Sequence, residues 1–334
     1  MRALLNRVLS KPALKPSHRP AAAEPAEPVL DPTLGDAYAN RIRDELAAGE
    51  FAGAEALFAS VEDPQDRTWY ADVLSNWTNC PDWIDGWFQS QPSAVSHLIR
   101  GVHALHWAWQ ARGFGYGETV RDEGWKLFFK RLERAEANLQ MAARLAPEDP
   151  TPWAFLIRAA RGAQLGTDET RRRFDEARRR APEHRYAHSQ MLQCGCAKWG
   201  GSHEQMFEFA RQAVAKSRPG GPLHVLVAEA HIERWLAEWS DVGEDEAAGY
   251  FAEPSVKAAI SKAARDALEA RFTPTHDTVR TRNFFAFGLW RCGERDAAAV
   301  QFDAIGPWVT LEPWSYLGDA VQVFQAARRE CGAS

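Results

Sequence analysis

Apolar and small residues recur along this chain with the period of a helix, not of a strand. Between residues 118 and 146, Phe128, Leu132, Ala135, Leu139 and Ala142 alternate four and three residues apart. That spacing predicts one long helix with a single buried stripe. Trp153, Leu156, Ile157 and Ala160 follow Pro147 at i, i+3, i+4 and i+7 and predict the next. Extended over the chain, the pattern places helices near 36–48, 51–60, 66–76, 80–88, 93–111, 118–146, 151–165, 168–180, 184–196, 203–217, 222–240, 254–271, 276–292, 294–304 and 313–330. Val, Ile and Thr do not gather in alternating runs, so nothing in the sequence argues for a sheet.

Two of these helices carry the same pattern in register. Ala135, Leu139, Ala142 and Pro147 are repeated 35 residues later as Thr170, Phe174, Ala177 and Pro182. Small residues where helices approach, an apolar residue a turn on and a closing Pro are what stacked helical hairpins require. A looser copy runs from Tyr186, Met191 and Leu192 through Lys198-Trp199-Gly200-Gly201 to Met206, Ala210, Ala213 and Pro219. Within it, Ser202 and Gln205 read as a capping box. A last hairpin is legible in Phe284, Phe285, Phe287, Trp290, Cys292-Gly293, Ala297, Ala298, Phe302, Ile305 and Gly306-Pro307.

With Trp153, Ala135, Phe174, Ala177 and the closing Pro147 and Pro182, the chain resembles tetratricopeptide repeats. Arg100-Gly101, Ala108 to Gly113, Lys198 to Ser202 and Pro313 to Gly318 are similar to stretches of an uncharacterised bacterial domain-of-unknown-function family with tetratricopeptide-like helices. The resemblance implies an all-α fold, an α-solenoid of antiparallel helical hairpins with an irregular helical N-terminal half. It implies no established activity. The expected organisation is a basic, Pro-rich tail over 1–34 and one helical-repeat domain over 35–334. That domain divides into irregular helices (35–117), the best repeats (118–220) and C-terminal helices with a cap (221–334).

The tail differs in composition. Arg2, Arg7, Lys11, Lys15 and Arg19 precede the first acid, Glu24, and six prolines fall between residues 12 and 32. Such a segment buries too little apolar surface to offset its chain entropy, so disorder is expected. Its apolar run is cut by Asn6 and Arg7, which argues against a signal peptide. At 45% hydrophobic and 25% charged residues the 334-residue chain lies in the globular range. A net charge of -5 gives no general attraction for nucleic acid or anionic membranes. No apolar run is long enough for a membrane span. Five scattered cysteines form no disulfide framework. A cytoplasmic protein is expected.

Four constellations carry candidate chemistry. On the helix from Ser93 to Arg112, Arg100, His103 and Trp107 share a stripe and Arg112 follows, before Gly113-Phe114-Gly115-Tyr116-Gly117. They would bind an anionic or aromatic group, or they belong to a helix packed on both sides. His184, His188, Cys194, Cys196 and His203 contain an H-x3-H pair, but C-x-C is not the usual zinc knuckle, and buried or surface side chains account for them as well. The run Arg171 to Arg180 would pair Asp175 with Arg179 and Glu176 with Arg180, leaving a solvated face or an anion-binding one. Fourteen Trp residues, with clusters such as Trp77, Trp83 and Trp87 or Trp235 and Trp239, fit core or binding hot spots.

No phosphate loop, nucleophile elbow or H-E-x-x-H is present, and the alternating glycines 113, 115 and 117 do not make a dinucleotide fingerprint. The sequence therefore points to a scaffold with no cofactor or metal, binding a protein or peptide on the surface formed by the first helices of each hairpin. Trp153, Arg158, Arg161 and Trp199 are its candidate contacts. The competing expectation is a small-ligand receptor or enzyme with a pocket around Arg100, His103, Trp107 and Arg112.

Overall fold

The computed structural model describes residues 27–113, 120–243, 247, 249–268 and 276–333. Most of the expected tail and most of the glycine loop after Arg112 therefore lie outside the described residues. Fifteen α-helices occur among those described. They are α1 (Ala37–Ala47), α2 (Ala52–Ser60), α3 (Pro64–Ser75), α4 (Asp82–Ser90), α5 (Ala94–Arg112), α6 (Asp122–Leu145), α7 (Thr151–Gly162) and α8 (Thr167–Arg180). Next come α9 (Arg185–Cys194), α10 (His203–Lys216), α11 (Val225–Val242), α12 (Pro254–Leu268), α13 (His276–Arg291), α14 (Arg295–Ile305) and α15 (Ala320–Glu330).

Local chemistry sets the boundaries. Asp36, Asp63, Ser93, Ser202 and Asp319 each lie at an N-cap and accept a hydrogen bond from a backbone N–H of the first turn. Such bonds satisfy donors that the helix itself leaves orphaned. At Ser93 the pairing is reciprocal with Ser96. The largest departure from the expected helices is at the last one, which begins at Ala320 and not at 313. Residues 314–316 form a 3-10 turn, Gly318 takes φ +138°, and Asp319 starts the helix by accepting from Gln322 N–H at 2.9 Å.

The stripes are buried as the periodicity requires. Phe128, Leu132, Ala135, Leu139 and Ala142 are at most 3% exposed, and the matching Thr170, Phe174 and Ala177 at most 5%. Helices α5 and α6 form the most extensive helix pair. Gly101 lets them approach, since a Cβ there would sit 2.8 Å from Leu139 Cγ and 3.0 Å from its backbone nitrogen. Consecutive helices from α5 to α9 pack on one another, as do those from α10 to α14. One hydrophobic core gathers residues from α1 to α9, a second gathers α11 to α15, and a smaller cluster of Leu192, Met206, Ala210, Leu223 and Leu226 joins them.

The two ends of the described chain meet. Val29–Leu30 (β1) pairs in parallel with Trp308–Val309 (β2), Val29 opposite Trp308. Part of the expected tail is thus folded. Asp31 fixes the turn that follows by accepting from Thr33 N–H at 2.9 Å and Gly35 N–H at 3.0 Å. Gly35, at φ +73°, lies against the Trp308 indole, where a Cβ would collide. These two strands were invisible in the sequence because two residues carry no periodicity.

Helix α3 contacts α1, α5, α7, α9 and α13. Thr68 Oγ1 lies 2.9 Å from His184 Nε2, Gln65 donates to the Glu183 carbonyl at 2.8 Å, and Arg67 pairs with Asp149 at 2.6 Å. Across the chain, Arg185 on α9 bonds the Asp277 carboxylate with two nitrogens and reaches Glu229 on α11 at 3.3 Å. All three side chains are under 10% exposed.

His276 closes the assembly with a charge. Its Nε2 lies 2.5 Å from Asp36 Oδ2, its Nδ1 3.1 Å from Asp66 Oδ1, and its ring stacks on Trp69 at 4.0 Å. Only an imidazolium donates from both nitrogens. Burial pulls its pKa down, but the Asp66 and Asp36 carboxylates outweigh that and raise it above the ordinary 6.5. A raised folded-state pKa gives stabilisation that is complete below the unfolded value and is lost as pH climbs through the folded one. We expect His276→Gln to lower Tm at pH 6 by an amount worth about 1 kcal/mol, given partial screening. The deficit should shrink toward zero in the alkaline range, and a constant deficit in scans from pH 6 to 9 would contradict the charge assignment.

Candidate functional site

The turn between α9 and α10 explains the Trp-Gly-Gly stretch. Residues 197–199 form one 3-10 turn. Gly200 follows at φ +87°, a left-handed conformation that costs glycine little. Gly201 has a different reason: a Cβ on it would lie 2.2 Å from the Gly195 carbonyl oxygen and 2.5 Å from its carbon. The chain thus crosses itself at Gly195, and Ser202 caps α10 by accepting from Gln205 N–H at 3.1 Å. This knot carries Trp199.

Trp199 meets Trp109 of α5 edge to face at 5.8 Å. Trp109 is seated on the bare backbone of Gly162, where a Cβ would lie 3.1 Å from Phe128 and 3.3 Å from the indole. Three guanidiniums surround this pair. Arg112, Arg158 and Arg161 lie 5.5, 5.4 and 5.5 Å from the Trp109 ring centre, and Arg112 and Arg161 lie 5.5 and 5.2 Å from that of Trp199. Attraction between cation and π-face holds these side chains in fixed orientations.

Arg112, Arg161 and Trp199 of this cluster line a groove with a cavity volume of about 1670 Å³. Its walls are α8 (Arg171, Phe174, Arg178) and α10 (Glu208, Phe209, Gln212), and His188, Met191 and Cys194 of α9 form the floor. Among the described lining residues eight are cationic and five acidic, the reverse of a chain whose net charge is -5.

Arg161 is the unusual member. Its Nε and Nη1 are shielded from solvent and meet no acceptor among the described residues, and the same holds for Trp109 Nε1. Burial depresses the Arg161 pKa, Cys194 works against that, and the like charge of Arg158 adds to the fall. The Cys194 thiol, in hydrogen-bond contact with the Arg161 guanidinium, is pushed up by burial against the pull of that cation, and it donates to the Gln190 carbonyl at 3.2 Å. It offers no full negative charge.

A second polar seam lies behind the groove. Arg158 Nη1 is 3.5 Å from His106 Nδ1, His106 Nε2 is 3.0 Å from Asp72, and Asp72 also pairs with Arg280 at 3.0 Å. Burial works to raise the Asp72 carboxyl, yet His106 and Arg280 hold it well below the usual carboxylate range. This seam joins α3, α5, α7 and α13.

Of the eight residues singled out in the sequence, the structure gathers Arg112, Arg158, Arg161 and Trp199. Arg100 and His103 go elsewhere. Arg100 pairs with Asp85 at 2.9 Å and lies over Phe88, a dozen residues before Arg112 and so about 18 Å along the helix. His103 is 0% exposed and donates from Nδ1 to the Ser75 carbonyl at 3.1 Å. Burial lowers its pKa to about 4, so it stays neutral. Trp107 lies under the Arg131 guanidinium at 3.6 Å, and Trp153 under Arg172 and Arg180. Trp109 was not singled out in the sequence. No sequence signal distinguishes an indole that three arginines will share.

The other constellations dissolve into packing. His184 caps α9 through Nδ1 and His188 Nδ1 donates to the His184 carbonyl at 2.9 Å. Cys196 lies against Met206. Among the described residues no three His, Cys, Asp or Glu side chains converge as metal ligands. In the arginine run Glu176 pairs with Arg180 at 2.5 Å, whereas Asp175 pairs with Arg178 and not Arg179. Arg173 is 3% exposed and locked between Glu136 and Glu169. Trp87, 0% exposed, stacks on Phe51, and Trp235 packs among Trp239, Phe251 and Phe287. Among the described residues no helix is long and apolar enough to cross a membrane. No family model, curated protein or solved structure matches the chain.

Proposed function

We propose that this protein is a non-catalytic scaffold that binds an extended, acidic segment of a partner protein in the groove between α8, α9 and α10. In this reading α6 to α10 act as tetratricopeptide-like antiparallel hairpins of a short solenoid, related in kind to the bacterial family that the sequence resembles. The observation that carries it is the groove itself. Its volume of about 1670 Å³ exceeds the roughly 300–1,000 Å³ of small-molecule pockets, and its surplus of cations suits acidic side chains. Helix α3 lies across the starts of α7, α9 and α13, so the first helices of the hairpins face the chain's own N-terminal half there. The surface left for a partner is the one toward the second helices.

The test is fluorescence polarisation with labelled extended peptides of about ten residues, the length that spans roughly 30 Å. Glutamate-rich peptides should bind with an affinity that falls as salt rises, and lysine-rich ones should not. Reversing charge on one wall with Arg171→Glu and Arg178→Glu together should weaken the acidic peptides tenfold or more. Equal binding of acidic and basic peptides would overturn the reading.

A further inference from the structure

We infer that the part of this groove lined by Arg161 is an oxyanion subsite, in which Arg161, flanked by the Trp109 and Trp199 indoles, receives a carboxylate or phosphate group. The inference rests on the groove as the binding surface and adds the chemical group that it grips.

A shielded guanidinium without a counter-charge is costly to the folded state, and proteins normally pair such a group. Two of the most deeply buried arginines obey that rule. Arg173 has Glu136 and Glu169, and Arg185 has Asp277 and Glu229. Arg161 has none among the described residues, and its charged neighbour is Arg158. Its shielded Nε and Nη1 and the Trp109 Nε1 are all donors, so what these three atoms lack among the described residues is an acceptor and not a donor. Two indoles at 5.5 and 5.2 Å hold the guanidinium plane in place, which lowers the entropy lost when a ligand is gripped. Arg161 also lines the open groove. A planar guanidinium held ready in this way matches the paired oxygens of a carboxylate or phosphate.

The experiment titrates inorganic phosphate and a poly-glutamate peptide separately into the wild-type chain and Arg161→Met by calorimetry, with the unliganded Tm of each measured alongside. Methionine keeps an apolar stem in place of the arginine methylenes. We expect at least one of the two probes to bind Arg161→Met tenfold or more weakly than wild type. Loss of phosphate binding alone assigns the subsite to a phosphate, and loss of poly-glutamate binding alone to a carboxylate. The unliganded variant should match or exceed the wild-type Tm, because an unpaired charge has been removed. Wild-type affinity of Arg161→Met for both probes would overturn the subsite while leaving the groove reading intact. Phosphate binding lost in the variant, with no poly-glutamate binding even in wild type, would uphold the subsite and remove the peptide. A clear fall in the unliganded Tm would also overturn it, since Arg161 would then be a structural residue.

Discussion

Replacing Arg185 by Leu is expected to cost about 3–5 kcal/mol of folding stability, the range for breaking a buried ion pair by removing one partner. Arg185 is 3% exposed and touches Asp277, Glu229 and Ser189 at once. Its loss leaves two carboxylates buried with no cation between them, in a region where burial, with Asp277 and Glu233 adding, already raises the Glu229 pKa. The three elements it joins are α9, α11 and α13, so the damage falls on the contact between the first core and the second. Thermal scans should show Tm lower by roughly 10 °C. Adding Asp277→Asn and Glu229→Gln to the Arg185→Leu chain should recover much of the loss, because the charges that were stranded are then gone. An Arg185→Leu protein that melts with wild type would show that the carboxylates find water or another cation.

Gly201→Ala should be the second most damaging single change among those considered, at about 2–3 kcal/mol. The added methyl would enter the Gly195 carbonyl group, at 2.2 Å from the oxygen, and backbone atoms on both sides leave no flexible side chain to give way. The neighbouring Gly200 provides the control. Nothing lies within 4 Å of a Cβ there, and its left-handed backbone is one that Asn tolerates. Gly200→Asn should therefore cost about 1 kcal/mol or less. Urea unfolding of the two variants checks the contrast. The acidic-peptide titration should show a loss confined to Gly201→Ala, because the turn that carries Trp199 must move. Equal stability of both variants would mean that the turn reopens without strain.

The sequence and the structure agree where the physics is local. The stripe Phe128, Leu132, Ala135, Leu139, Ala142 announced α6 and the face it buries, because side chains three and four apart must share a side of a helix. Ser202 announced the start of α10 by the same kind of short-range bond. The expectation failed at Pro313 to Gly318, where a Trp that reads as helical is instead part of a turn. Trp314 is fully buried there and donates from Nε1 to Asn283 Oδ1 at 2.7 Å, a partner 31 residues away in sequence. Half of the eight candidate residues proved to belong to the site, legible in the same limited way. Arg112, Arg158, Arg161 and Trp199 could be named as residues worth testing, but from three separate helical segments with no sign that they meet.

By itself, then, the sequence determined that the chain is all-helical, where most of its helices start and stop, and which stripe of each is apolar. Those properties follow from backbone hydrogen bonds and side chains within a few residues of one another. Only the tertiary structure decided that Asp66 and His276 would meet across 210 residues, that β1 would pair with β2, and that α3 would run over the starts of three later helices. It also decided that Arg173 would be neutralised and that, among the described residues, Arg161 would not, although both are arginines in consecutive amphipathic helices. Charge pairing between distant elements depends on which faces come together. Helical periodicity fixes each face and leaves the choice of its neighbour to the packing of the whole chain.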